Sequence, residues 1–285
     1  MKYRILVDAP GQTCNRFFAY LDTVAWAVAN RGRVVIFHWD SSLHHYNALR
    51  CNRWVSFPFY KSWLFNLIGE KRCQDLLRMI LDNRLTRRIF SLGLVRSLGF
   101  YNSWQLRMRH EYFPYMKTEL RPLFRPNEDI CQRIEHTMAK YKSEGYFVIG
   151  VHIRRGDYKT FMDGKYFYEL EDYAVTMHSL VSLYDDRRVM FFISTNEQYD
   201  PMVFSGLSLC QFENTTVAHD LYTLSLCDRI IGPLSTFSRW ASWYGSVPLK
   251  FIDKAETNLT DGDFSVIHDF YHFENGAEIV NLSDR

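Results

Sequence analysis

Short apolar runs and amphipathic stretches alternate along most of the chain. The run YRILVD at 3–8 is short and rich in Ile, Leu and Val, which suits a buried parallel strand. A turn segment, Ala9 to Cys14, then leads at Asn15 into NRFFAYLDTVAWAVANRG. There Phe18, Leu21, Ala25, Val28 and Ala29 fall near helical spacing, and Gly32 is a fitting stop. VVIFH at 34–38 reads as the next strand, so the chain opens with a βαβ unit and a parallel sheet. From 52 to 115 the pattern blurs: 64–90 predicts helices with basic faces, and 98–115 has no clear period. The segment 120–130 carries two prolines and is the best linker, with Asn127 placed to cap a helix from Glu128 to Lys142 that ends at Gly145.

A second alternation follows. Strands are expected at 146–154, 188–195, 229–232 and 248–252, with helices at 166–183 and 219–227 and a loop feeding a helix at 233–245. This is a second doubly wound unit. The expected organisation is two α/β domains, 1–126 and 127–285, with a cleft between them.

Composition narrows the partners. The 285 residues are 47% hydrophobic, ample for two cores. Lys and Arg number 34 against 32 Asp and Glu, a net charge of +2, so no field favours nucleic acid or an anionic membrane. An anion site must come from a few placed residues. The six cysteines, at 14, 51, 73, 131, 210 and 227, form no C-x-x-C pair, and no apolar run is long enough to span a membrane. The N-terminal apolar run is too short for a signal-peptide core. The reading is a cytoplasmic protein with free thiols, in which the N-x-S/T triplets at Asn214, Asn258 and Asn281 are chance matches.

Five places carry candidate chemistry. In GVHIRRGDY, 150–158, an apolar strand ends in Arg154 and Arg155. Ligands of open α/β sheets sit beyond such carboxyl ends, and adjacent guanidiniums need an anion nearby; a pyrophosphate fits the planar forks. Salt bridges to Asp157 and a neighbouring carboxylate satisfy them equally well. Arg155-Gly156-Asp157 also spells an adhesion tripeptide, given little weight without export signals. In the second place, GPLSTFSRW at 232–240, Ser235, Thr236 and Ser238 with free helix-start N–H groups make an anion cradle, or Ser235 or Thr236 is an ordinary N-cap. Third, Asp220 either caps its helix or accepts from a guanine edge. Fourth, Ser194 to Glu197, including Asn196, ends a strand. Fifth, the loop Gly11 to Arg16 follows a strand but lacks both nucleotide-loop signatures. Asp261-Gly262-Asp263 is the only D-x-D and reads as a solvated turn; His44-His45 and His268/His272 lack a third ligand, so no metal is expected.

These motifs together resemble the fucosyltransferases, especially the alpha-1,2-fucosyltransferase family. His152 to Tyr158 matches its His-x-Arg-Arg-Gly-Asp-Tyr signature without a gap. Leu224 through Asp228 followed by Ser235-Thr236-Phe237-Ser238-Arg239-Trp240 is similar to a second block, with Arg239 replacing a Trp; Gly11 to Phe18 is a degenerate version of a third. The resemblance implies the GT-B fold, two facing Rossmann-like domains with an interdomain cleft. It implies metal-independent, inverting transfer of fucose from GDP-fucose to a glycan hydroxyl, alpha-1,2 to galactose. In that reading 127–285 binds the donor: Arg154 holds the β-phosphate, Arg155 supports the nucleotide and loop, His152 lines the pocket and Asp220 reads guanine. Thr236, Phe237 and Ser238 contact diphosphate or fucose, and Asn15 reaches the reacting centre. Asp8, Asp22 and His38 are the candidate bases. No cofactor beyond the donor is expected; the partners are GDP-fucose and a glycan acceptor, with peripheral association with membrane glycan assembly. The alternatives are another GDP-sugar or acceptor linkage and a noncatalytic carbohydrate-binding module.

Overall fold

The computed structural model describes residues 3–8, 10–39, 41–58, 60, 67–69, 72, 75, 76, 79, 98–101 and 110–279. It divides into two compact units, Met1–Asn127 and Glu128–Arg285. Most of the helices expected at 64–90, together with Cys73 and Asn281, lie outside the described residues.

The N-terminal unit holds β1 (Tyr3–Leu6), α1 (Thr13–Asn30), β2 (Arg33–Ile36), β3 (Val55–Ser56) and β4 (Leu98–Tyr101). The strands form a parallel sheet in the order β3-β2-β1-β4, with Leu6 opposite Ile36 and Tyr101. Helix α1 starts two residues earlier than its pattern suggests and is buried on almost every side from Thr13 to Ala27, which explains why its polar face is so thin. Phe17 sits among Trp39, Tyr46 and Phe124 at ring distances of 5.6, 5.2 and 5.4 Å, mostly edge to face. The left-handed residue that ends α1 is Arg31 (φ 52°), not Gly32; the N–H groups of both go back to Ala27.

The C-terminal unit runs α2 (Glu128–Ser143), β5 (Tyr146–Ile153), α3 (Leu170–Leu183), β6 (Arg188–Thr195), β7 (Leu209–Cys210), α4 (Val217–Leu224), β8 (Arg229–Gly232), α5 (Thr236–Gly245) and β9 (Leu249–Phe251). All five strands are parallel, in the order β7-β6-β5-β8-β9. Strand β5 is hydrophobic on both faces because both are covered. Ile149, Val151 and Ile153 join Val189, Phe191, Ile193 and Ile231 in one core against Tyr173, Met177 and Leu180 of α3. The alternate positions face α2, α4 and α5.

Both parallel sheets agree with the expected α/β class. Strand β4 and the two-residue β7 were not legible; both are short and lack a long apolar run. Asn127, placed by the sequence as a helix cap, also reaches far along the chain. Its Oδ1 accepts the Asn47 N–H at 2.9 Å and its Nδ2 donates to the His44 carbonyl at 2.8 Å, so it ties down the short turn at 41–50. No helix among the described residues is long and apolar enough to cross a membrane.

Asp22, one of the candidate bases, has a structural task. It lies in the middle of α1, 3% exposed, and its Oδ1 accepts the backbone N–H groups of Tyr112 (2.8 Å) and Phe113 (3.1 Å). Asp22→Ala should therefore destabilise the protein by roughly 2–4 kcal/mol by orphaning two buried donors, while Asp22→Asn, which keeps the acceptor, should lose clearly less in thermal or urea unfolding.

Candidate active site

The strand order of the C-terminal unit reverses between β5 and β8: the chain builds outward through β6 and β7, returns, and continues through β8 and β9. Helices therefore leave the sheet on opposite faces at this seam, and a crevice opens beyond the strands' carboxyl ends. Parallel register aligns His152 with Ser194 on β6 and Val151 with Ile231 on β8, so Ser194, His152 and Gly232 form one row at that end.

The row continues into the helices above it. His152 is 3% exposed; its Nδ1 lies 2.7 Å from Ser238 Oγ, and its ring stacks on Phe237 at 4.6 Å. Gly232 makes this approach feasible, because a β-carbon there would stand 3.0 Å from the His152 β-carbon, the His152 carbonyl and Ser238 Oγ. Burial, then the Arg154 charge, pushes the His152 pKa down to about 3, so the imidazole is neutral at ordinary pH. On the β6 side, Ser194 is buried and its hydroxyl donates to Asp220 Oδ2 at 3.1 Å. Burial raises the Asp220 pKa to about 6, against the hydrogen bonds from Thr215 and Ser194.

Helix α5 is capped by Ser235, whose Oγ accepts the Phe237 N–H at 3.2 Å, so the capping role falls to Ser235 and not Thr236. Thr236 and Phe237 stay partly exposed on its first turn, whereas Ser238 is wholly buried and acts through His152. Asp220 does not cap α4; Thr216 does, in a capping box with His219.

Just past β5 the two arginines part company. Arg154 donates from Nε and Nη2 to the two Asp157 oxygens, both at 2.8 Å, and its Cζ lies 5.6 Å from the Tyr158 ring. That pairing holds the Asp157 carboxyl below the usual carboxylate range. The Tyr158 hydroxyl donates to the Leu234 carbonyl, which docks this loop on the one entering α5. Arg155 instead reaches Glu169 Oε2 with Nη2 (2.9 Å) and lies 3.0 Å from Glu197 Oε1 at Nε. Carboxylate pairing, one of the two readings of this motif, is thus present at both arginines, yet their side chains are only 19% and 16% exposed. Asn196 Oδ1 accepts the Arg155 N–H at 3.3 Å.

In the N-terminal unit, the ends of β1 and β2 are tied by the Tyr20 hydroxyl, within 3.2 Å of the Asp8 carbonyl and 3.1 Å of the His38 carbonyl. His38 is 1% exposed, and burial, then Arg16, lowers its pKa to about 4. Arg16 Nε donates to the Gly11 carbonyl, and the partly exposed Asn15 packs on Gly11. Asp8 is half-buried.

The D-x-D pair sits at the opposite, amino-terminal edge of the C-terminal sheet. Asp261 Oδ1 accepts from Tyr184 and Arg229, and Asp263 closes a capping box with Thr260. His272 pairs with Asp269 at 3.1 Å, and the His44 and His45 rings lie against each other. Among the described residues, no group of three or more His, Cys, Asp or Glu converges as a metal-binding set.

The buried row gives a direct test. Ser238→Ala removes the partner of a buried imidazole and should cost about 1–3 kcal/mol of stability, read by thermal unfolding, while leaving the surface of the first α5 turn intact.

The comparisons agree with this fold. Solved structures of similar fold include the NodZ alpha-1,6-fucosyltransferase soaked with GDP-fucose, at 16% identity and TM-score 0.54, with 89% of this chain and 96% of that one covered; NodZ comes from Bradyrhizobium. They also include Arabidopsis thaliana FUT1 in complex with GDP, at 12% identity and TM-score 0.52, covering 98% and 78%. POFUT1 in complex with GDP is similar at 10% identity and TM-score 0.53, covering 88% and 98%. No curated protein matches the sequence. The family model of glycosyl transferase family 11 matches residues 83–274, which take in the whole seam between β5 and β8, and the chain belongs to that family.

Proposed function

We propose that this glycosyltransferase is a fucosyltransferase that binds GDP-fucose in its C-terminal unit and moves fucose, with inversion and without a metal, to a hydroxyl of a glycan, alpha-1,2 to galactose. The observation that carries this is the convergence at one strand-order reversal of Arg154, the Ser235-capped start of α5 and the Ser194–Asp220 pair. The first two suit a diphosphate and the third suits a base with two adjacent N–H donors. The fucosyl donor is supported by the three neighbouring fold structures described with GDP or GDP-fucose. The alpha-1,2 linkage rests on the motif resemblance alone; NodZ, of similar fold, is an alpha-1,6 enzyme.

In the proposed reaction, the acceptor oxygen bonds to the anomeric carbon from the face opposite GDP as the bond to the β-phosphate oxygen breaks. The electron pair leaves with the diphosphate, and the acceptor proton passes to a base. Arg154 and the N–H groups opening α5 stabilise the charge that grows on the leaving group. The D-x-D pair is committed elsewhere, so this burden falls on the arginine. Of the three acid–base candidates, Asp22 is spent on backbone and His38 is sealed from solvent, which leaves Asp8 as the proposed proton acceptor, with Asn15 in the first turn of α1 proposed to reach the reacting centre.

Two outcomes follow. Arg154→Ala should leave thermal stability close to that of the parent and lower fucosyl transfer by about 10²- to 10³-fold, as loss of one placed charge donor does elsewhere; near-normal turnover would refute the assignment. Guanine recognition by ionised Asp220 makes GDP affinity depend on pH. Because its pKa is raised to about 6, affinity should be flat above about pH 7 and weaken toward tenfold per unit below about pH 6. Titration calorimetry of the parent and Asp220→Asn, which should bind weakly with no such inflection, checks it.

A further inference from the structure

We infer that Arg155 is a positioning residue that clips three loops together behind Arg154, and that it does not meet the donor diphosphate. The inference rests on the transferase reading above and divides the labour of its two arginines.

Four contacts converge on Arg155 from two later segments of the chain. Its guanidinium bridges Glu169, the residue that caps α3, and Glu197, just past the end of β6. Its Cζ lies 5.1 Å from the Phe167 ring, and its backbone N–H is held by Asn196. Gly156 leaves room for that contact: a β-carbon there would stand 2.8 Å from Asn196 Nδ2 and push the amide aside. The clip thus joins the loop leaving β5, the start of α3 and the loop leaving β6.

Alternation along β5 separates the roles. His152 points to the face shared with α4 and α5, where Ser238 and Asp220 stand, while Ile153 points to the α3 core. Arg155 follows the α3 side and finds Glu169 there. Electrostatics say the same: one guanidinium between two carboxylates is a net negative cluster, and a diphosphate approaching it would have to displace an existing ion pair. Arg154 pairs with the carboxylate of Asp157, the i+3 residue of its own loop, which is more than half exposed. The clip therefore fixes the chain from which Arg154 projects, and a shift of about 1 Å there is enough to cost a large factor in rate.

The test uses Glu197→Gln, Glu169→Gln and Arg155→Lys in the full chain, with steady-state transfer kinetics and GDP titration. Removing Glu197's charge separates the two roles by sign. If Arg155 is a clip, Glu197→Gln lowers kcat by about tenfold and changes the Kd for GDP less than about twofold. Arg155→Lys, which keeps the charge but not the fork, falls alike, and the double variant is no worse than either single one. If Arg155 binds the diphosphate, Glu197→Gln frees it, GDP binds more tightly and kcat holds or rises, and Arg155→Lys loses GDP affinity in step with Arg154→Ala; that result overturns the inference. Glu169→Gln repeats the comparison should Glu197→Gln fail to fold. Failure of the parent chain to bind GDP at all would instead refute the donor assignment, a different outcome from any of these.

Discussion

Between β5 and β8 two strands lie side by side whose onward connections leave on opposite faces of the sheet. The space this opens is closed at its floor by the contact of His152, Gly232 and Ser238, packed to the limit that a missing β-carbon allows. That contact sets how near the first turn of α5 comes to the tip of β5. Every polar group with a claim on the donor is placed relative to it: Arg154 two residues beyond His152, Ser194 beside it in register, Asp220 against Ser194, and the first turn of α5 above it. Neutral, buried His152 is suited to this as a charged imidazole would not be, since the same burial penalises a proton on it.

Charge is handled locally. With a net charge of only +2, no long-range field concentrates anions. Each arginine at the strand tip is instead held ready by carboxylates, Asp157 for one and Glu169 with Glu197 for the other. Such pairing keeps two adjacent cations tolerable before a ligand arrives and fixes the planes of their guanidiniums. Asp261 repeats the device at the far edge of the sheet, where it steadies Arg229 and Tyr184 and has no part in the crevice.

What could be read from the sequence followed from burial. Strands β5, β6 and β8 were legible nearly to the residue because two-sided burial writes an uninterrupted apolar run, and Gly145, at φ 81°, marked the end of α2. Strand β4 and β7 were not, being too short to write any period. The stop at Gly32 was misplaced by one residue, since Arg31 takes the left-handed position, and the ties of Asn127 to His44 and Asn47 were out of reach because they join residues some 80 positions apart. In the site, Arg154 and Arg155 were found from sequence but not told apart, because Glu169 and Glu197 come from loops 14 and 42 residues further on, too far for spacing to pair them with either arginine. The roles of Gly156 and Gly232 as clearance for neighbours were equally out of reach, since their neighbours are distant in the chain.

The most direct measurement is a crystal structure of the chain with GDP bound. The account predicts the β-phosphate against Arg154 and the N–H groups opening α5, the guanine edge at Asp220, and Arg155 still between Glu169 and Glu197. A nucleotide seated elsewhere, with Arg154 unmoved on Asp157 and the crevice beyond β5 and β8 empty, would contradict it.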